Sequence, residues 1–202
     1  MKGIRKVAFA AGIITLFMVA FLAASPRALA ALDFTPRNFL VNPPPDADPQ
    51  VEANLDVMRR VDTAWNERDF ETLEQLHAPD GVFFFTIPGG ADRTAHVQEM
   101  RNFLAAFPDH QIELPHLVLF GQGDMVTAVS RSSGTHAEPF TLPDGRVIPP
   151  TGKVVNMVMT TVARVADGQF AEEIVTFDTL DFFSQLGVAS INAEQPPAHP
   201  FQ

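Results

Sequence analysis

The 202-residue sequence contains no cysteine, no tyrosine and a single tryptophan. Without cysteine there is no disulfide, no thiolate metal site, no thiol nucleophile and no lipid-modified cysteine. No glycine-rich phosphate loop and no G-x-S-x-G elbow occurs, which excludes the commonest nucleotide-binding and serine-hydrolase signatures. Positive charge is scarce as well, with 14 Lys and Arg against 24 Asp and Glu. A net charge of −10 repels phosphate backbones and anionic lipid surfaces, so neither nucleic acid nor a membrane surface is an expected partner.

What the sequence does have begins at its start. Lys2, Arg5 and Lys6 precede an almost unbroken apolar run over 7–24, and Ala28-Leu29-Ala30 follows as a small-x-small cleavage pattern. Residues 1–30 therefore read as a signal peptide, with a periplasmic or secreted destination. The absence of a twin-arginine pair near the start favours the general secretory route. The run is long enough that an uncleaved anchor is the alternative. Residues 31–49 carry five prolines and read as a linker, and 189–202 as a Pro-rich tail. The globular domain is expected over 50–188.

Within that domain the periodicity changes once. Val51, Leu55, Met58, Val61 and Trp65 recur at steps of three and four, predicting an amphipathic helix. Asp69 can cap a second helix over Phe70–Leu76. Pro79-Asp80-Gly81 reads as a turn, Val82–Ile87 as a strand, and Thr94–Phe107 as a third helix stopped by Pro108. After Pro108 the pattern turns strand-like. Hairpin signals stand at Gly121–Asp124 and at Ala166-Asp167-Gly168, and Leu180–Leu186 predicts a short final helix capped by Gly187. Helices followed by long hairpins make an α+β domain. Strand 154–165 is apolar on both sides, with Met157 and Met159 on one and Val154, Val158 and Val162 on the other. Such a sheet can take helices on one face and curve around a cavity on the other, and an ordinary two-layer sandwich fits the pattern equally.

The strings AAFPD (105–109), GQGDMV (121–126), SGTH (133–136), PPTGK (149–153), ADGQFAEE (166–173) and FDTLDFFSQLG (177–187) resemble the SnoaL-like polyketide cyclase and ester cyclase family. That resemblance implies a nuclear-transport-factor-2-like fold: a cone of antiparallel sheet packed against three N-terminal helices, with a short C-terminal helix. It implies cofactor-independent acid–base chemistry of cyclase, isomerase or lyase type on a small hydrophobic carbonyl compound. A binding protein without chemistry is the alternative, and a cone filled by its own phenyl groups is a third. It also implies a homodimer, no cofactor, and a catalytic aspartate at the end of the last strand, here Asp178. The histidine that family members place two residues earlier is here Thr176.

Each candidate has a plainer reading. Asp178 can act in the pocket or simply cap the following helix. His136 can shuttle a proton or pin the loop behind it. Asn156, polar in an apolar strand, orients a ligand carbonyl or ties to the backbone. Trp65 lines the pocket or packs the core, and Phe84 and Phe107 complete the expected lining. His77, His96, His110 and His116 form no i, i+4 pair, so they read as structural or surface residues, and no metal site is expected.

Overall fold

Residues 48–86 and 89–189 are described by the structure, a computed structural model, so the expected signal peptide, linker and tail lie outside the described residues, apart from Asp48, Pro49 and Ala189 at their edges. Helix α1 spans Pro49–Glu67; the Asp48 carboxylate accepts from the Gln50 N–H at 2.9 Å, and Pro49 needs no hydrogen-bond partner at the first turn. Arg68, at φ 58°, ends the helix in a left-handed conformation. Asp69 then caps α2 (Phe70–Leu76) as expected, accepting from the Thr72 N–H at 3.0 Å.

Strand β1 runs over His77–Phe84, so the Pro79-Asp80-Gly81 segment is not a turn. It is absorbed as an irregularity in the pairing between His77 and Val82. Asp92 caps α3 (Arg93–Ala106). The strands β2 (Gln111–Ile112), β3 (Val118–Gln122), β4 (Met125–Thr135), β7 (Val154–Ala166) and β8 (Gln169–Phe177) follow, with a small separate hairpin of β5 (Phe140–Thr141) and β6 (Val147–Ile148). Both expected hairpin turns form. Asp167 and Gly168 take the φ values of 51° and 74° that a left-handed turn requires. Helix α4 (Thr179–Leu186) closes the domain and stops at Gly187.

The main sheet has the order β1-β8-β7-β4-β2, with β3 also on β4. It is mixed rather than wholly antiparallel, because β1 pairs with β8 in parallel. No hairpin joins these two strands, so chain connectivity does not force them antiparallel. The sheet is curved and not closed into a barrel.

Helices cover one face of the sheet. Val126 and Ala128 of β4 and Val155, Met157, Met159, Ala163 and Val165 of β7 turn towards them and are buried. The opposite face leaves Val154 and Val158 of β7 and Ile174 of β8 exposed. The interior therefore lies between helices and sheet, and the valine face of β7 looks outward. Phe182 of α4 plugs one end, with its ring 5.6 to 6.3 Å from those of Phe103, Phe107, Phe140 and Phe177.

Candidate functional site

Between α1, α3 and the inner face of the sheet lies a cavity of about 30 Å³, bordered by Asp62, Trp65, Phe85, His96, Met100 and Glu173 among others. That volume holds about one water molecule. Its walls carry an unusual amount of ionisable chemistry.

Asp62, one turn before Trp65 on the buried stripe of α1, accepts from His116 Nε2–H at 2.7 Å. Burial pushes the Asp62 carboxyl up from the ordinary aspartate range, and the His116 hydrogen bond offsets only part of this. The Trp65 indole N–H donates to His110 Nδ1 at 3.0 Å.

A second group joins three elements. Glu173 of β8 sits between His77, the first residue of β1, and His96 of α3; its Oε2 lies 3.3 Å from His77 Nε2 and 3.0 Å from His96 Nε2. The far nitrogens are also engaged. His77 Nδ1 lies 2.6 Å from the Leu73 carbonyl and His96 Nδ1 lies 3.3 Å from Glu99 Oε2. Glu99 in turn accepts from the Thr86 backbone N–H and hydroxyl at 3.0 and 2.6 Å. Burial alone would lower the pKa of His96; the Glu173 and Glu99 carboxylates outweigh it and hold the ring up at about 9. Burial would raise Glu173, but hydrogen bonds from the two imidazoles hold it down at about 2.

The residues singled out from the sequence fall in three places. Trp65 lines the interior cavity, its ring 6.1 Å from Phe85 and 5.8 Å from Phe103. Phe107 and His136 lie in the core beside it, their rings stacked at 5.0 Å. His136 Nδ1 accepts from the Thr151 N–H at 3.3 Å, which ties this histidine to the Thr151 loop. Asn156, Thr176, Asp178 and Phe84 do not face the interior; all four are exposed. The reason is strand phase: their neighbours one residue along, Met157, Val175, Phe177 and Phe83, are the ones packed into the core.

Asp178 caps α4, accepting from the Asp181 N–H at 2.9 Å. Asn156 uses its backbone, which exchanges two hydrogen bonds with the Gln185 side chain at 2.8 and 2.9 Å. Both residues border an open trough of about 680 Å³ on the outside of the domain, together with Gln111, Arg131, Val158 and Asp181.

The AAFPD and SGTH strings meet in space. Asp109 accepts from the Thr135 N–H and hydroxyl at 2.6 and 2.7 Å, and Gly134 packs directly on His110. These strings build the joint between α3 and β4. Sequence reasoning missed Asp62, Glu99 and Glu173, and read His77, His96 and His116 as scattered. One signal was present: Asp62 lies beside the apolar stripe of α1, and Glu173 shares a strand face with Val175 and Phe177. A carboxylate in an apolar row needs a partner.

The fold and site can be compared with known proteins. The family model for SnoaL-like polyketide cyclases matches residues 55–186. IdmH of Streptomyces antibioticus, assigned as a polyketide cyclase, is 30% identical with a TM-score of 0.56; the match covers 67% of this chain and 99% of that one. A protein of Jannaschia sp. CCS1 assigned as a SnoaL-like polyketide cyclase superposes with a TM-score of 0.63 at 20% identity, over 72% and 99% of the two chains. AclR of Streptomyces galilaeus, assigned as a hydroxylase, gives 0.58 at 22% identity over 69% and 99%. Comparison with curated proteins finds no match. With a family model spanning most of the domain and the same helix and strand arrangement in these structures, the chain belongs to the SnoaL-like polyketide cyclase family.

Proposed function

We propose that the protein performs acid–base chemistry of cyclase or isomerase type on a small hydrophobic carbonyl compound, with Asp62 as the proton-exchanging group. The observation that carries this reading is the desolvated Asp62 carboxyl, held 2.7 Å from His116 at the wall of the interior cavity. A carboxyl with a raised pKa can take a proton from carbon next to a carbonyl and return it to the enolate oxygen or to another carbon. The electrons pass into the substrate's own carbonyl, so this step needs only side chains. His116 orients the carboxyl and stabilises its charged form. Family membership supports the reaction class. The resemblance had implied Asp178, but that residue is exposed and caps a helix, so Asp62 takes the role here.

The cavity's small volume favours a second reading, a core packed by its own rings that admits no ligand. A ligand larger than water needs lining side chains such as Phe85 and Met100 to move. The two readings separate by incubating the protein with a series of apolar ketones and β-keto esters in heavy water. Proton NMR follows exchange at the carbon beside the carbonyl, and Trp65 emission follows binding. Exchange by the protein and its loss in Asp62→Asn, with binding retained, supports the proposal. Exchange undiminished in the variant removes Asp62 from it, and neither exchange nor binding by the unaltered protein leaves the packed core.

Export through the general secretory route is proposed from the N-terminal segment alone. Intact mass of periplasmic material is expected to correspond to a chain starting at Ala31. A full-length mass in the membrane fraction would favour the anchor.

A further inference from the structure

We propose that His77, His96 and Glu173 bind a divalent transition-metal ion of the zinc class, with the remaining coordination position opening on the interior cavity. The inference goes beyond the proton-transfer reading, and it departs from the expectation of no metal drawn from the sequence.

The first argument is geometric. One ligand atom from each residue, a ring nitrogen of each histidine and a carboxylate oxygen, lies within 4.8 Å of the other two. The Glu173 oxygen stands 3.3 and 3.0 Å from the two nitrogens. Zinc bonds of about 2.0–2.2 Å in a tetrahedral set place ligand atoms roughly 3.3 Å apart, so small side-chain adjustments admit an ion.

The second argument is the arrangement around the triad. Leu73 O and Glu99 Oε2 each face an Nδ1, and each can only accept. Each imidazole therefore carries a hydrogen on Nδ1 and aims Nε2 inward, which is the outer support that metal-bound histidines have. Once the Nε2 hydrogens that donate to Glu173 leave, two nitrogen lone pairs converge on one carboxylate oxygen. Three acceptors facing one another need a positive centre between them: hydrogen on the rings, or one cation. Two added hydrogens make neighbouring cations of rings whose centroids are 5.2 Å apart, inside a shell of Phe83, Phe85 and Phe170. A single divalent ion supplies the same charge between the lone pairs and leaves both rings neutral.

The third argument is room. His96 and Glu173 border the cavity of about 30 Å³, enough for a metal-bound water in the fourth position. Asp62 borders the same cavity and is the other carboxylate near that position. Two imidazoles and one carboxylate suit zinc, cobalt or ferrous iron better than calcium or magnesium, which prefer all-oxygen sets.

The test uses the folded, chelator-stripped protein at slightly alkaline pH, with zinc chloride and cobalt chloride as probes. Elemental mass spectrometry after dialysis is expected to find about one zinc per chain. Binding should raise the melting temperature and release protons, and cobalt should give visible bands of a four-coordinate nitrogen–oxygen site. Glu173→Gln and His96→Gln, checked for folding by circular dichroism, are expected to bind at least tenfold more weakly, while Glu71→Gln, exposed on α2, binds normally. Should both triad variants fail to fold, the zinc stoichiometry and cobalt spectrum of the unaltered protein decide. Failure of the folded protein to retain zinc, or retention undiminished in a folded triad variant, overturns the proposal.

Discussion

The indole N–H of Trp65 donates to Nδ1 of His110 across 3.0 Å, joining α1 to the segment that follows α3. The bond places the His110 hydrogen on Nε2, which has no hydrogen-bond partner among the described residues. Burial, with the nearby Arg68 charge, pushes His110 down to about 4. The folded state therefore keeps this ring neutral where the unfolded chain would protonate it.

This makes stability fall with acid in a defined window. The contribution of His110 is fully present above its unfolded value of about 6.5 and is lost as pH falls through about 4. Its full size is up to about 3 kcal/mol, from roughly 1.4 kcal/mol per tenfold change. His110→Gln keeps an acceptor for Trp65 without titrating. Thermal melts between pH 7 and 4 should therefore fall less steeply for the variant than for the unaltered protein, and Trp65 emission should follow the same difference.

Asp178 is expected to behave as a helix cap. Asp178→Ala should cost about 1 kcal/mol, and Asp178→Asn, which can still accept from the Asp181 N–H, should cost only a few tenths. Urea melts measure both. Loss of turnover in a fully stable Asp178→Asn would return this residue to the chemistry.

Gly134 is required for a close approach. A Cβ placed there would stand 2.8 Å from the Cα and Cβ of His110, too close for either chain to remain in place. Gly134→Ala is expected to destabilise by about 1–3 kcal/mol, the usual range for overpacking. Because His110 must move, the variant should also shift the emission of Trp65.

The outward face of the sheet exposes Val82, Phe84, Val154, Val158 and Ile174. Apolar side chains clustered on one face suit contact with a second copy of the chain. Sedimentation is expected to show a dimer, and Val158→Asp should shift it towards monomer with the melting temperature of the isolated domain largely kept. A monomeric unaltered protein at tens of micromolar would count against the dimer.

The sequence by itself determined what depends on near neighbours. The stripe of α1, the Asp69 cap, the left-handed turn at Asp167-Gly168 and the stop at Gly187 all follow from interactions within a few residues. Only the tertiary structure decided which side of the sheet is inside. Strand β7 is apolar on both sides, so its own pattern could not say whether Met157 or Val158 meets the helices. That one choice sent Asn156, Thr176 and Asp178 outward and turned Glu173 inward. Likewise, no local spacing joins His77, His96 and Glu173, which come together because parallel pairing of β1 with β8 and the packing of α3 on β1 bring three distant segments around one carboxylate. Their proximity is a consequence of long-range packing, and a reading confined to sequence neighbours has no access to it.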